Sequence, residues 1–263
     1  MEKLAGLNWL GWSILLSCLF LLGAFGGWVL ELFYRRFVSH RKEHRWINPG
    51  FLTGPYLPLY GFGLVGLFLL SLIRVSETAW VNYSVILLCM AVCMTAIEYI
   101  AGIIFIRGMG IQLWDYSDQW GNVQGIICPL YTFFWTVVGA LYLFLLHPYM
   151  VDFLVFVTEN EEVLFFIGIF AGVFLVDFCQ TIELAGKIKK FARKNNIVVL
   201  YERLKDSIAL YSAEHSERRH FLRAFKISNL KDAMSQHMEK FQAKMHGKKH
   251  GKKQEKEDKH DSE

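Results

Sequence analysis

Five apolar stretches, near Trp9–Phe33, Tyr56–Ile73, Trp80–Ile106, Ile126–Leu146 and Val163–Ile182, dominate the first 183 residues of this 263-residue chain. A hydrocarbon core of roughly 30 Å is crossed by about 20 helical residues, so runs of this length have a membrane as their natural solvent. In lipid, backbone N–H and C=O groups must be satisfied inside the segment, and for apolar runs this long that means helices. The expected fold is all-α: a polytopic transmembrane helix bundle of five spans over residues 1–183. The second stretch is the shortest and contains Pro58, so it is expected to be tilted or broken at its start. The third fits one tilted helix and is too short for two.

Charge orients the bundle. The formal net charge of +4 is a composite: residues 184–263 hold 20 Lys+Arg against 11 Asp+Glu, whereas residues 1–183 hold 8 against 13. The first loop carries Arg35, Arg36, Arg41, Lys42 and Arg45 against Glu43, while the loop expected after span four carries Asp152, Glu159, Glu161 and Glu162 and no Lys or Arg. The positive-inside rule then places the N-terminus outside, with the first loop, the Arg107–Gly125 loop and the tail inside. Trp9, Trp12, Trp80, Tyr83, Trp114, Trp120 and Tyr149 lie near span ends, as an interfacial aromatic belt would place them. Span one has Lys3 and small residues at Ala24–Gly26, as a signal peptide would. Its length and the five basic residues that follow oppose translocation, so it is expected to remain as an anchor.

Acidic residues inside the spans are the most informative feature. Glu31, Glu98 and Asp177 fall in spans one, three and five, each toward the expected inner end. A charge there costs on the order of 3 kcal/mol when deep, so each should face protein or water. Gly23, Gly27 and Glu31 form an i, i+4 ladder, and Ala91, Thr95, Glu98 and Gly102 a second small-residue row. Such rows let helices approach closely. Glu31 is one turn from Arg35 and admits a plain ion-pair reading; Glu98 is nine residues from Arg107 and points more to a functional group. Asp177 does not share the face of Gly168 and Gly172.

The entries to spans two and four look alike. One runs Asn48-Pro49-Gly50, Gly54, then Pro58-Leu59-Tyr60; the other runs Asn122, Gly125, then Pro129-Leu130-Tyr131. Each follows a Glu-bearing span, so the chain reads as a duplicated helical hairpin: Glu-bearing helix, loop, Pro-broken helix. Parallel repeats of this kind occur in transporters. Pro and Gly at membrane depth free backbone groups that need protein or a water-lined cavity. A polar cavity at the inner side, lined by Glu31, Glu98, Asn48 and Asn122, is the resulting expectation.

Three smaller features admit two readings each. Trp114-Asp115-Tyr116-Ser117-Asp118 suits a cation or headgroup contact through Asp115 and Asp118, or an Asx-type turn between interfacial aromatics. His40 and His44, one turn apart among basic neighbours, suit phosphate or solvent better than metal. Cys18, Cys89, Cys93, Cys128 and Cys179 all lie in or beside spans and read as packing residues. No metal and no cofactor is expected.

Residues 184–246 read as a basic amphipathic helical tail. Leu200, Leu204, Ile208 and Tyr211 form one apolar stripe, and Leu230, Met234, Met238, Phe241 and Met245 another. Arg218, Arg219, Arg223 and Lys226 surround Phe221, Leu222 and Phe225, which suits anionic lipid or a partner protein. Nucleic acid is the weaker partner beside a membrane. Residues 247–263 have the composition of a disordered charged tail.

The series Gly27…Glu31, Asn48-Pro49-Gly50-Phe51, Gly54-Pro55, Pro58-Leu59-Tyr60-Gly61, Glu98-Tyr99, Trp114-Asp115-Tyr116-Ser117 and Asn122…Gly125 resembles a family of bacterial multi-pass membrane proteins labelled type IV ABC-transporter permeases. The resemblance covers roughly residues 26–139. It implies a permease-like role in the bacterial cytoplasmic membrane and names no substrate. The chain has no G-x-x-x-x-G-K-[ST] phosphate loop, so ATP hydrolysis would belong to a separate ATPase subunit. Five spans are few for a complete pathway, which calls for a homo- or hetero-oligomer. The alternatives are a membrane-embedded enzyme acting on lipid-linked substrates, and a scaffold or sensor that recruits partners through its tail. Against the enzyme, no nucleophile has an adjacent base and no span carries a His-acid metal motif.

Overall fold

The computed structural model describes residues 6–37, 48–195, 197–201 and 204. Helix α1 runs Trp9–Phe37, α2 Pro58–Ser71 and α3 Ala79–Ile103, the last continued by a π-helical turn over Ile104–Met109. Helix α4, Pro129–Leu141, passes through a π-helical turn at Tyr142–Leu146 directly into α5, His147–Glu159. Helix α6 runs Glu161–Asn195. Among the described residues β-strand is limited to the two-residue segments Ile111–Gln112 and Val199–Leu200.

The chain is a helical membrane protein. Four continuous helices, Trp9–Phe37, Ala79–Met109, Pro129–Glu159 and Glu162–Lys194, are long and apolar enough to cross a bilayer. The expected second span is the 14-residue α2. At about 1.5 Å per residue it is roughly 21 Å long, short of a full hydrocarbon core.

Both prolines of the repeated motif start helices rather than breaking them. Pro58 and Pro129 occupy the first turn, where a missing N–H costs nothing because it would be unpaired anyway. The residues before them, Leu57 (φ −121°, ψ 95°) and Cys128 (φ −152°, ψ 160°), are extended, as the proline ring requires of its predecessor. Spans two and four therefore begin at residues 58 and 129, and the stretches ahead of them are loop.

Span four also runs on past its expected end. Pro148 lacks an N–H and its ring crowds the carbonyl four residues back, yet the chain keeps its axis by widening to a π turn just upstream. Asp152 and Glu159 consequently lie in helix, not in the expected loop. Helix α6 likewise extends beyond Ile182 into the basic residues Lys187, Lys189, Lys190, Arg193 and Lys194.

The main core is built from α1 (Leu15, Cys18, Leu19), α2 (Leu67, Phe68), α3 (Ile86, Met90, Met94), α4 and its π turn (Trp135, Tyr142, Leu143) and α5 (Leu154, Val157). A second cluster joins α1 and the first loop to α6 through Leu21, Ala24, Leu52, Tyr56 and Phe174. Elsewhere α6 presents Phe165, Phe166, Ile169, Val173 and Val176 outward, as a lipid-facing surface requires. The alternation of helix directions puts the ends of α1, α3 and α6 and the starts of α2 and α4 at one end of the bundle, the loop end.

Candidate functional site: two acid-anchored loops

The first loop is fastened between α1, α2 and α6. A Cβ on Gly23 would stand 2.8 Å from Leu64 Cβ and from the Tyr60 carbonyl oxygen, and one on Gly27 would overlap Tyr60 itself. The missing side chains let α2 lie against α1, with Tyr60 opposite Glu31. Tyr60 then donates its hydroxyl to Glu31 Oε2 at 3.1 Å, while Arg35 Nε pairs with Oε1 at 2.8 Å. Asn48 is the hub of the loop. Its Oδ1 accepts from Trp28 Nε1 at 2.8 Å and from the Gly50 amide at 2.9 Å; its Nδ2 donates to the carbonyls of Leu52 and Thr53. Asp177 on α6 takes the amides of Thr53 at 3.2 Å and Gly54 at 2.8 Å, one on each carboxylate oxygen. The Leu57 amide donates to the Ala24 carbonyl, returning the chain to α1. Pro49 is buried within this loop.

The second loop repeats the plan with different partners. Glu98, only 3% exposed, receives the Tyr116 hydroxyl on Oε1 at 3.0 Å and the Trp135 indole N–H on Oε2 at 3.1 Å. Gly102, one turn further along α3, leaves room for Ile126, whose side chain fills the space a Cβ would need. Trp114 Nε1 donates to the Ile126 carbonyl at 2.8 Å. Asn122 again closes the loop: its Oδ1 accepts the Gly125 amide at 3.1 Å, and its Nδ2 donates to the carbonyls of Ser117 and Gln119. Asp115 Oδ1 accepts the Ser117 amide at 3.0 Å and its hydroxyl at 2.5 Å, an Asx turn, while Asp118 is exposed. Tyr131 stacks on Tyr116 with ring centroids 4.1 Å apart. Burial first, and then the Glu98 carboxyl beside it, push the Tyr116 phenol well above the usual tyrosine range.

The two units touch. The Tyr60 ring packs edge-on against Trp135 at 5.4 Å, and Thr95 Oγ1 donates to Thr132 Oγ1 at 3.1 Å between α3 and α4. Glu31, Tyr60, Trp135, Glu98, Tyr116 and Tyr131 thus form one connected cluster at the loop end. Both glutamates bond to protein, and the backbone groups of the first loop are taken up largely by Asn48 and Asp177.

Several partners escaped the sequence reading. Trp28 lies three residues before Glu31, on the same helical face, and that spacing could have found it. Trp135 and Tyr116 carry no such local signal, because they reach Glu98 from a different helix and from a loop. Trp114, expected in the interfacial belt, is a partly buried donor that pins the loop; Trp120, by contrast, is 87% exposed. Opposite the loop end, Ser71 Oγ and the Tyr142 hydroxyl both contact His147 Nδ1, at 3.0 and 3.2 Å, a cluster with no sequence signal. His40, His44, Arg218, Arg219, Arg223 and Lys226 lie outside the described residues.

A family model described as "Putative ABC-transporter type IV" matches residues 18–182, well over half of the chain. The chain belongs to this family. The match takes in both acid-anchored loops and also α6 up to Ile182, including Asp177. Neither the curated proteins nor the solved structures contain a match to the chain.

Proposed function

We propose that the chain is the permease-like membrane component of an ABC-type transporter in the bacterial cytoplasmic membrane. The observation that carries this reading is the pair of loops at one end of the bundle, each held by a carboxyl, Asp177 for the first and Glu98 through Tyr116 for the second, and each opening a Pro-started helix. Family membership supports the transporter class. Arg35, Arg36, Arg107 and the Lys187–Lys194 run lie toward the same loop end, which supports an inside location for the loops and the C-terminus and an outside N-terminus. The loops would then face a separate ATPase subunit, and the substrate path would run beside the Glu31–Glu98 cluster. Sequence patterning supports leaving nucleotide hydrolysis to that subunit, and we assign no catalytic step to this chain. The small number of crossing helices supports assembly as a homo- or hetero-oligomer.

Purification from the native source at native expression, in mild detergent, tests the reading. Co-elution of a chain with a nucleotide-binding motif and ATPase activity, in fixed ratio to this one, is expected. A homo-oligomer with no ATPase chain would overturn it.

A further inference from the structure

Three carboxyl groups lie within the bundle, and their partners differ in one chemical respect. Asp177 accepts the backbone amides of Thr53 and Gly54, which donate and cannot accept. A proton on either Asp177 oxygen would meet an N–H. Glu31 pairs on one oxygen with the permanent cation of Arg35 and accepts the Tyr60 hydroxyl on the other. Glu98 has neither constraint. Its Oε2 meets the Trp135 indole, a donor only, and its Oε1 meets the Tyr116 hydroxyl, which both donates and accepts.

We propose that Glu98 is a proton-binding site, with Oε1 taking up and releasing a proton against the Tyr116 hydroxyl. In the ionised state Tyr116 donates its O–H to Oε1 and Trp135 donates to Oε2. On uptake, a proton from bulk water forms the Oε1–H bond, the tyrosine hydroxyl rotates, and the new acid O–H donates to the phenol oxygen. Trp135 keeps Oε2 as acceptor throughout. Both states hold two hydrogen bonds to the Glu98 carboxyl in one heavy-atom arrangement.

The groups around the site agree. From the loop comes Tyr116, from α4 Trp135 and Tyr131, from α2 Tyr60, and beyond Tyr60 the Glu31–Arg35 pair. Among the described residues no Lys or Arg bonds to Glu98. Tyr116 belongs to a loop whose neighbours Asp115 and Ser117 are exposed, which gives the proton an approach from the loop end.

Proton occupancy has a mechanical consequence. A hydroxyl donated to a carboxylate makes a bond about twice as strong as a neutral one. Uptake by Glu98 therefore loosens the tether between α3 and the Asp115–Gly125 loop. This rests on the permease reading only for the side of the membrane from which the proton comes.

Infrared difference spectra of the full chain in lipid nanodiscs, stepped from about pH 9 to about pH 5, test the site in the range where buried glutamates titrate. A protonated-carboxyl C=O band that grows as pH falls, shifts in D2O, persists in E31Q and D177N and is missing in E98Q is expected. Tyr116→Phe keeps the Trp135 bond and the aromatic stack, and its Glu98 band should titrate with a displaced midpoint; this variant serves also if E98Q fails to fold. An E98Q spectrum that superimposes on wild type, or a Glu98 band that does not change with pH, or a midpoint unmoved by Tyr116→Phe, overturns the proposal. These spectra are independent of ATPase co-elution, so the two readings fail separately.

Discussion

Replacing Asp177 by alanine should release the first loop from α6, and the structure sets how that release would be seen. The carboxylate holds two amides, Gly54 at 2.8 Å and Thr53 at 3.2 Å. Hydrogen bonds to a charged group contribute about 1.5–3 kcal/mol each; with the longer bond weaker and the group partly exposed, the pair is worth about 2–4 kcal/mol. Against this, removing a carboxylate from a span recovers up to about 3 kcal/mol of insertion cost, and less near an interface. The two terms nearly cancel in global stability, so a thermal shift is a poor readout. Local opening does not share the cancellation, because an insertion cost common to the open and closed loop drops out. Asp177→Ala should therefore raise amide exchange at Thr53 and Gly54 more than tenfold, since about 1.4 kcal/mol corresponds to a factor of ten. Asp177→Asn keeps one acceptor oxygen and should fall between wild type and alanine. Hydrogen exchange read by mass spectrometry over the 50–57 peptide checks this. Unchanged exchange there, in an Asp177→Ala protein that remains folded, would show that Asp177 does not hold the loop and refute the reasoning.

Gly27→Ala drives a Cβ into Tyr60 at its own Cβ and Cγ, atoms too close to the backbone to swing aside; a loss of about 1–3 kcal/mol is expected from overpacking, measurable by reversible denaturation in mixed micelles. Gly125 has φ +67° and a Cβ there would stand 2.6 Å from Ser117 Oγ, so Gly125→Ala should cost about 1–2 kcal/mol or more and expose the Asp115–Gly125 loop to limited proteolysis. Because the Tyr116 pKa is raised in the folded state, its contribution to stability is fully present below the unfolded tyrosine value of about 10 and is lost as pH climbs toward the folded value. Phenolate absorbance of wild type and Tyr116→Phe should thus coincide until the protein unfolds at alkaline pH. Glu31→Gln removes the Glu31–Arg35 ion pair and should lose roughly 1 kcal/mol, whereas Glu98→Gln can accept from Trp135 and donate to Tyr116 and should leave the melting temperature nearly unchanged; equal losses in a thermal shift assay would contradict the difference drawn between the two acids.

What could be read in the chain beforehand follows from the range of each interaction. Hydropathy over some 20 residues is a local property, and it located the membrane helices. Helical spacing is local too, and it put Gly23, Gly27 and Glu31 on one face before any partner was known. The errors lie where a local rule meets tertiary compensation. Pro148 is followed by helix because a π turn upstream absorbs the lost hydrogen bond, and no pattern in residues 142–148 announces that choice. Pro58 and Pro129 read as breaks when taken as interior to an apolar run; as first-turn residues they are ordinary helix starts. Asp177 was legible as an acid in a span, but its target lies more than 120 positions away, at Thr53 and Gly54, beyond any spacing argument.

The two hairpins share a sequence plan but not a charge plan. Asn48 and Asn122 each accept the amide of a following glycine, and Pro58 and Pro129 each open a helix, so the scaffold of the two loops is the same. The acids diverge. In the first unit Glu31 pairs with Arg35 and Tyr60, and the loop itself is held by Asp177 through two backbone amides. In the second the tether ends on Glu98, whose partners are a tyrosine and a tryptophan, both neutral. A pair of identical loops would respond alike to any change in pH or potential. This pair would not, on the proposed proton uptake at Glu98, because its Oε1 meets a hydroxyl that can also accept. The Tyr60–Trp135 contact is where the two units meet, so a change in the tether of the second loop would reach the first unit through those two rings.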